Sequence, residues 1–316
     1  MSKVKSYLSL IRFSHTIFAM PFAMIGFALG VLEPRFELLR LAREGGISFA
    51  FMDNRVNIFT PGRPIWVVFL LVVGCMVFAR SAAMAFNRWL DVEFDVKNPR
   101  TAIREIPRGI ISKSSALRFV IFNCVAFIVC TWFINTLCFC LSFVALAVVL
   151  GYSYTKRFTP LCHLVLGLGL SLAPIGAYLA VTGRFAVLPI LFSFTVVFWV
   201  SGFDIIYALQ DEEFDKSQQL YSMPSWLGKA RALRVSEGLH LLSTACVVAA
   251  GWYGGFGLWY WAGVAVFMGM LVYQHLLVKP NDLSRVNLAF MTANGIASVV
   301  FAAFVITDLL IRGTSI

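Results

Sequence analysis

The sequence predicts an all-α integral membrane protein, and three observations support this fold class. Of the 316 residues, 59% are apolar and 13% are charged, whereas a soluble domain carries roughly 25% charged residues. The apolar residues occur in blocks of about 20, the length that crosses the core of a bilayer as a helix. The acidic residues are concentrated at the ends of two of these blocks.

Nine apolar segments are long enough to span the lipid bilayer. They cover residues 14–32, 65–87, 116–135, 137–154, 160–182, 186–209, 233–252, 257–278 and 287–311. The first segment follows a basic start that lacks a small-residue cleavage site, so we expect a retained helix and not a signal peptide. Very short links join the third segment to the fourth and the seventh to the eighth, as expected for antiparallel neighbours.

The longest external connection is residues 33–64. Residues 35–43 within it have the amphipathic spacing of a helix that lies on the membrane surface. An ordinary loop insertion is the simpler interpretation of the whole segment, and we expect no lid function for it.

Basic residues are distributed unequally between the two sides of the predicted bundle. If the N-terminus is cytoplasmic, the cytoplasmic side holds 19 of the 26 lysines and arginines. The positive-inside rule therefore predicts an inner-membrane (cytoplasmic-membrane) protein with a cytoplasmic N-terminus and an external C-terminus. This bias also accounts for the net charge of +10, so the sequence predicts no nucleic-acid partner.

Half of the acidic residues fall in two short windows. Eight of the 16 lie in NRWLDVEFD (87–95) and DIIYALQDEEFD (204–215), each at the same end of an apolar segment. Acidic side chains at membrane depth are energetically costly, so such clusters indicate a functional site.

The spacing within each window places its polar side chains on one helix face. These side chains are Asn87, Asp91 and Asp95 in the first window, and Asp204, Tyr207, Asp211 and Asp215 in the second. Carboxylate and amide oxygens suit a hard cation, and Mg²⁺ typically takes one or two protein carboxylates together with phosphate oxygens of a substrate. The four histidines show no paired spacing that would indicate zinc.

The two windows are similar to each other. LDVEFD and QDEEFD align at an offset of 120 residues, and KSSALRF (113–119) matches KARALRV (229–235) at an offset of 116. We therefore expect a single domain over residues 1–316, with repeated helical units at about 14–154 and 160–278 and a final helix at 287–311. Repeats that build a site at their interface are a known plan of membrane proteins.

Basic residues accompany the acidic windows. Arg100 and Arg104 lie in the loop VKNPRTAIREIPRG after the first window, and Lys156 and Arg157 lie in YSYTKRFTP. Carboxylates that bind Mg²⁺ and are surrounded by Lys and Arg fit a diphosphate, because its oxygens bind both metals and basic groups. The alternative is that these cations only fix the membrane topology.

These motifs resemble those of the UbiA family of membrane prenyltransferases. Asn87-x3-Asp91-x3-Asp95 resembles the first family signature, NDxxDxxxD, with Arg88 in its second position, and Asp204-x2-Tyr207-x3-Asp211-x3-Asp215 resembles the second. NPRTAIREIPRG, YSYTKRFTP and the opening RFSHTIFAMPFAMIG also look like family motifs. The resemblance covers nearly the whole chain. It is strongest to the 4-hydroxybenzoate polyprenyltransferase group, which is similar to the prenyltransferases of futalosine-route menaquinone synthesis.

The resemblance implies a nine-helix bundle around a central cavity, and an enzyme that uses Mg²⁺, two ions being expected. It implies a polyprenyl diphosphate donor and a membrane-embedded aromatic acid as acceptor, prenylated at a ring carbon in quinone biosynthesis. The predicted metal ligands are Asn87, Asp91, Asp95, Asp204, Asp211 and Asp215, and the five aspartates are also the predicted catalytic residues. The predicted substrate-binding residues are Arg100, Arg104, Lys156, Arg157, Tyr207 and Tyr154.

Several assignments stay open in the sequence. Asp204 either binds metal or orients the acceptor together with Tyr207. The carboxylate of an aromatic acid needs a cationic partner, for which Arg157 and Arg104 are the candidates. His15 either faces the cavity or packs at the interface.

The sequence also leaves alternatives for the function. The acceptor is 4-hydroxybenzoate, a dihydroxynaphthoate, or a non-quinone molecule such as a haem or a glycerol ether. A divalent-cation transporter would also place acidic faces in a bundle. Both acidic windows lie at the same membrane side, and a following basic loop would repel cations, so we expect an enzyme.

Overall fold

The structure is a computed structural model. It describes the backbone of residues 3–11, 18–43 and 63–314, and the side chains of residues 6–11, 18–32 and 63–312. Within these ranges the chain is helical and contains no β-strand. His15, the start of the first predicted segment and most of the long external connection lie outside the described residues.

Thirteen α-helices follow one another in the described chain. They are α1 (Lys3–Leu10), α2 (Met20–Arg43), α3 (Ile65–Leu90), α4 (Val92–Lys97), α5 (Lys113–Ile134), α6 (Thr136–Thr155), α7 (Cys162–Thr182), α8 (Val187–Ala208), α9 (Glu212–Ser217), α10 (Met223–Leu227), α11 (Lys229–Tyr253), α12 (Leu258–Leu277) and α13 (Asn294–Thr314). A 3₁₀ turn, Leu209–Asp211, follows α8, and a π-helix, Leu288–Ala293, precedes α13.

Eight helices of the described chain are long and apolar enough to cross a membrane, so the protein is an integral membrane protein. They are α3, α5, α6, α7, α8, α11, α12, and α13 together with its π-helix. These helices correspond to the last eight predicted segments. The apolar part of α2, Met20–Leu32, is shorter, and a ninth span therefore stays a prediction.

The prediction that a loop begins at residue 33 is wrong. The backbone of α2 continues without interruption to Arg43. The helical spacing at residues 35–43, which predicts a separate surface helix, instead extends the first helix, and the helical backbone continues through Pro34.

The shortest link between two of the eight membrane-spanning helices is Asn135, between α5 and α6. Its side-chain oxygen accepts a hydrogen bond from the backbone N–H of Cys138 at 2.8 Å, and thereby caps the start of α6. Its amide nitrogen donates to the carbonyl of Leu179 on α7 at 2.9 Å. Asn135 therefore follows the end of α5, its side chain caps the start of α6, and the same side chain attaches this turn to α7.

The largest buried side chains form an aromatic cluster between α2, α8, α12 and α13. Phe22, Trp199, Phe267 and Phe301 are fully buried, and their ring centroids lie 5.2–6.5 Å apart. The indole N–H of Trp199 donates to the Asn294 side-chain oxygen at 2.9 Å. The only strongly polar atom of the indole is thus satisfied inside the apolar bundle.

Both acidic windows break the helix at their aligned aspartates. Asp91 has φ −92° and ψ 10° and separates α3 from α4, and Asp211 has φ −102° and ψ 2° and separates the 3₁₀ turn from α9. The predicted single continuous helix face is therefore interrupted in each window. The matching breaks agree with the predicted repeat at this local level, while the duplication of the whole units stays a prediction.

Glycine allows α2 to approach α7 closely. A Cβ atom on Gly26 would overlap the backbone carbonyl of Pro174 on α7. A backbone group cannot rotate away as a flexible side chain can, so the two helices would have to separate.

We expect Gly26→Ala to destabilise the protein by about 1–3 kcal/mol, as overpacking does elsewhere. The measurement is the thermal unfolding midpoint in detergent. Gly238→Ala is the control, because a Cβ there meets nothing within 4 Å. Equal midpoints for the two variants would contradict the close approach of α2 and α7.

Candidate active site

A polar pocket lies at the end of the bundle where both acidic windows are found. Its volume is about 290 Å³, and its lining comes mainly from α3, α4, α6, α7, α8 and the loops after α4 and α6, with Phe18 before α2, Phe214 on α9, Leu220 and Ser222 after α9, and Phe290 of the π-helix. Of the twelve site residues predicted from the sequence, ten line this pocket: Asn87, Asp91, Asp95, Arg100, Arg104, Lys156, Arg157, Asp204, Tyr207 and Asp211. We refer to this end as the acidic end.

In the first window, each aspartate faces an arginine. The Arg104 Nη1 atom donates to both carboxylate oxygens of Asp95, at 2.8 and 2.9 Å. The Arg157 Nη2 atom lies 3.4 Å from Asp91 Oδ1, and the Asn87 amide donates to Asp91 Oδ2 at 3.1 Å. The two carboxylates are therefore held by basic groups from two different loops.

In the second window, Asp211 and Asp215 are paired with basic residues from the first half of the chain. The Arg100 guanidinium donates to both oxygens of Asp211, at 3.1 and 2.5 Å. The Lys156 Nζ atom lies 2.7 Å from Asp215 Oδ1, and the Ser222 hydroxyl donates to Asp215 Oδ2 at 2.9 Å. Loops of one half thus neutralise carboxylates of the other half.

Burial shapes the electrostatics of these pairs. The pKa of the Asp91 carboxyl is raised to about 6, mainly because the carboxyl is buried. The positive charges of Lys156 and Arg157 act in the opposite direction and lower this pKa. Burial lowers the pKa of the Lys156 ammonium, but the attraction of the Asp215 carboxylate is stronger than this effect. The pKa of Lys156 is therefore above its ordinary value. An additional cation beside Asp91 would therefore stabilise its ionised form.

Two ionisable groups lie deeper in the pocket than the paired aspartates. Arg80 precedes Asn87 by seven residues on α3, and Asp204 precedes Asp211 by seven residues on α8 and its 3₁₀ extension. At 1.5 Å per residue, each lies about 10 Å farther from the acidic end on the same helix face. Arg80 Nε is buried without a hydrogen-bond partner, and His163 lies 2.6 Å from Asp204 Oδ2.

An apolar cavity of about 330 Å³ continues from the polar pocket between α3, α5, α6 and α7. The two share a neck formed by Arg80, Met84, Tyr152, Leu166 and Leu170. At its far end the apolar cavity reaches exposed apolar side chains, Val144 and Phe185. The lining of the site therefore changes from charged residues at the acidic end to apolar residues deeper in the bundle.

Aromatic rings form one wall of the polar pocket. The Tyr207 ring lies between the guanidinium of Arg100, 5.2 Å from its centroid, and the ring of Phe290, 4.3 Å away. The Arg100 Nη1 atom also donates to the Tyr207 hydroxyl at 2.8 Å. Phe18 and Phe203 pack against Phe290 with centroids 5.4 Å apart, so four aromatic side chains adjoin the paired carboxylates.

Two predicted site residues do not line the pocket. Tyr154 is exposed and packs against Phe86 and Arg157. Asp215 is fully buried behind Lys156. Arg104 and Arg157, the candidates for the carboxylate of the acceptor, are already paired with Asp95 and Asp91.

Sequence reasoning missed several side chains of the site. Glu105 accepts from the buried Arg88 at 2.5 Å and from Ser9, so the basic loop is attached to α1 and α3. Arg80 could have been recognised by its spacing, because a residue seven positions before Asn87 lies on the same helix face. No sequence signal marks His163 or Ser222, whose partners are distant in the chain.

The donor set suits a hard cation. Within residues 3–11, 18–43 and 63–314, no three acidic, histidine or cysteine side chains are gathered as a ready-made metal site. The aspartates instead stand in two pairs opposite each other, each with a basic partner. Mg²⁺ is usually held by only one or two carboxylates together with phosphate oxygens, so the residues fit a metal that binds with its substrate.

The fold and the pocket define a class of protein: an all-helical membrane protein with an internal site for an anion and cations at one end and an apolar ligand at depth. The sequence matches the UbiA prenyltransferase family over residues 58–296. The chain belongs to this family and is a prenyltransferase. The alternative of a cation transporter is therefore not supported.

Relatives and solved structures agree with this assignment. A 4-hydroxybenzoate octaprenyltransferase of Aliivibrio fischeri is 31% identical over 277 residues, which cover 86% of this chain and 95% of the relative. The apo structure of a UbiA homologue from Aeropyrum pernix has a TM-score of 0.76 at 28% identity, covering 93% of this chain and 98% of that one. A UbiA homologue from Archaeoglobus fulgidus bound to DMAPP and Mg²⁺ has a TM-score of 0.68 at 18% identity, covering 97% and 99%, and shows the shared fold.

Proposed function

We propose that the protein transfers a polyprenyl group from polyprenyl diphosphate to a ring carbon of an aromatic hydroxy acid in quinone biosynthesis. The acid is 4-hydroxybenzoate or a dihydroxynaphthoate. The observation that carries the proposal is the change in the lining of the site with depth: paired carboxylates and cations first, then Arg80 and Asp204, then an apolar cavity. The names of the curated relatives support 4-hydroxybenzoate as acceptor.

The diphosphate would lie at the acidic end. Asn87, Asp91, Asp95, Asp211 and Asp215 would hold two Mg²⁺ ions, which neutralise the charge that develops on the leaving diphosphate when bound. The basic residues that now neutralise the aspartates, namely Arg100, Arg104, Lys156 and Arg157, would turn to the oxygens of the diphosphate. The donor's carbon–oxygen bond breaks with both electrons on the diphosphate.

The allylic carbon would then face the aromatic wall. The rings of Phe18, Phe203, Tyr207 and Phe290 adjoin the paired carboxylates and stabilise a developing cation by their negative faces. They also exclude water, which would otherwise capture the cation. The prenyl chain would extend through the neck into the apolar cavity and towards the lipid at Val144 and Phe185.

The acceptor would lie between Arg80 and Asp204. An aromatic hydroxy acid carries a carboxylate at one end and a hydroxyl at the other, which match a guanidinium and a carboxylate respectively. Arg80 replaces Arg104 and Arg157 as partner of the acceptor's carboxylate, because Arg80 forms no ion pair among the described residues, whereas Arg104 Nη1 is paired with Asp95 and Arg157 Nη2 with Asp91. The ring carbon attacks the allylic carbon and afterwards loses its proton.

The membrane arrangement follows the charge distribution. The acidic end carries the basic loops at 97–113 and 156–157, so the positive-inside rule places it and the N-terminus in the cytoplasm. With α2 as a further span, the bundle has nine transmembrane helices in the inner membrane.

The direct experiment is transfer of a labelled prenyl group by the purified protein in lipid. The donors are prenyl diphosphates of several lengths, and the acceptors are 4-hydroxybenzoate and 1,4-dihydroxy-6-naphthoate, each with Mg²⁺ and with EDTA. Magnesium-dependent labelling of one acid confirms the reaction and identifies the acceptor. No labelling of either acid by folded protein contradicts the proposal.

We expect Asp91→Ala and Asp211→Ala each to abolish turnover while the protein stays folded, because each removes a predicted ligand from one side of the diphosphate. The measurements are turnover over a range of Mg²⁺ concentrations and the unfolding midpoint. Asp282→Ala is the control, since Asp282 is exposed and remote from the pocket. Activity of both variants at high Mg²⁺ would contradict the two-metal assignment.

We expect Arg80→Met to raise the KM for the aromatic acid about 10-fold or more, the usual effect of losing a hydrogen bond between charged groups. The KM for the donor should not change. The exposed Arg234→Met on α11 serves as the control. If the donor KM rises as much as the acceptor KM, Arg80 does not bind the acceptor.

A further inference from the structure

His163 is held between two partners at the second residue of α7. Its ring is almost completely buried, 3% exposed, and its Nδ1 atom lies 2.6 Å from Asp204 Oδ2. Its Nε2 atom accepts the backbone N–H of Met223 at 3.2 Å. The backbone carbonyl of His163 also accepts the hydroxyl of Ser201 at 3.1 Å.

The contact with Met223 fixes the tautomer of the ring. A backbone N–H can only donate, so Nε2 must carry a lone pair, and the ring proton is therefore on Nδ1. Nδ1–H then donates to Asp204 Oδ2. The second oxygen of Asp204, Oδ1, has no hydrogen bond within the described residues, and Asp204 lines the polar pocket.

Asp204 differs from the four paired aspartates in both partner and depth. Asp91, Asp95, Asp211 and Asp215 each contact an Arg or Lys side chain, whereas Asp204 contacts the imidazole N–H of His163. It also lies about 10 Å deeper than Asp211, as the helical rise over seven residues dictates. Asp204 and Arg80 line the same polar pocket, and the proposed function places the ring of the acceptor between them.

The Met223 amide links His163 to the metal-binding side of the pocket. Met223 follows Ser222, whose hydroxyl donates to Asp215, and Ser222 and Ser225 cap α10 reciprocally. A continuous chain of bonded groups thus runs from Asp215 through Ser222, Met223 and His163 to Asp204. The position of Asp204 is therefore tied to the same rigid segment that holds a predicted metal ligand.

From this geometry we propose that His163 is a positioning residue for the acceptor. It holds the Asp204 carboxylate so that Oδ1 accepts the hydrogen bond of the acceptor's ring hydroxyl, and it thereby places the neighbouring ring carbon towards the allylic carbon. Asp204 is then a binding group for the hydroxyl and not a metal ligand. This inference rests on the proposed function, and it resolves the two roles that the sequence left open for Asp204.

The test compares binding of two acids that differ only in the ring hydroxyl, 4-hydroxybenzoate and benzoate, to the full-length protein in lipid. If the transfer assay labels the naphthoate, the pair is 1,4-dihydroxy-6-naphthoate and 2-naphthoate, which lacks both ring hydroxyls. The wild-type protein should prefer the hydroxylated acid by about 10-fold or more, as a hydrogen bond to a charged group provides. His163→Leu should lose this preference, while its affinity for the acid without hydroxyl and its half-saturating Mg²⁺ stay unchanged.

Two further variants separate positioning from packing. His163→Asn places an amide N–H near the position of Nδ1 and should recover most of the preference, and this variant decides the matter if His163→Leu does not fold. Ser201→Ala removes a hydrogen bond to the backbone of the same residue and should keep the preference.

Three results would overturn the inference. The first is a preference retained in His163→Leu; the second is an equal loss of affinity for both acids, which indicates a packing role. The third is a rise in half-saturating Mg²⁺, which would make Asp204 a metal ligand. These failures are distinct from failure of the proposed function, in which the wild-type protein neither labels nor binds either acid.

Discussion

Every other feature of the site depends on the neutralisation of buried carboxylates at one end of a membrane bundle. An ionised carboxylate is costly to bury, and removing one partner of a buried pair costs roughly 3–5 kcal/mol. Here four aspartates contact four basic residues, and two of these pairs join the halves of the chain: Arg100 with Asp211, and Lys156 with Asp215. The ion pairs therefore hold together the segments that follow α3 and α8, and they also place charged side chains around the pocket.

The same pairs explain how a site for cations and an anion can be stable before its ligands arrive. Each aspartate has a partner that is itself suited to a diphosphate, and each basic residue has a partner that is suited to Mg²⁺. In the proposed function, binding of a magnesium diphosphate would exchange one set of neutralising contacts for another, so the net charge buried in the pocket would change little. Neither the metal alone nor the diphosphate alone allows this exchange, because each would leave one set of side chains unpaired.

The residues that line the site change with depth. The innermost charged residues of the pocket are Arg80 and Asp204, which lie about two helical turns from Asn87 and Asp211 on their respective helices. Beyond the neck the lining is almost wholly apolar, as a hydrocarbon chain requires. In the proposed function, the order of groups along the cavity would match the order of groups along the two substrates, with the reacting carbons between the charged ends and the prenyl chain.

Most of the fold could be predicted from the sequence, because apolar runs of about 20 residues bounded by charges leave few alternatives in a bilayer. The carboxylates of the site could be predicted because four-residue spacing places them on one helix face. The breaks at Asp91 and Asp211 could not, since they depend on tertiary contacts to Arg157, Arg100 and Asn98. The pairing of each aspartate with its own cation, and the contact of His163 with partners 41 and 60 residues away, likewise have no local signal.

The extension of α2 to Arg43 was missed for a different reason. The charged residues after Leu32 indicate the end of a span, but they do not end a helix, because charged side chains are compatible with helical backbone outside the bilayer. A membrane boundary and a helix boundary are separate properties, and the composition of a segment reports only the first.

The most direct test of this account is a calorimetric titration of Mg²⁺ into the full-length protein, with and without geranyl diphosphate. The exchange of ion pairs predicts that Mg²⁺ binds tightly only when the diphosphate is present, and that the diphosphate binds tightly only with Mg²⁺. Mg²⁺ binding of equal affinity in the absence of diphosphate would show that the aspartates form a preassembled metal site, and would contradict the central role of the ion pairs.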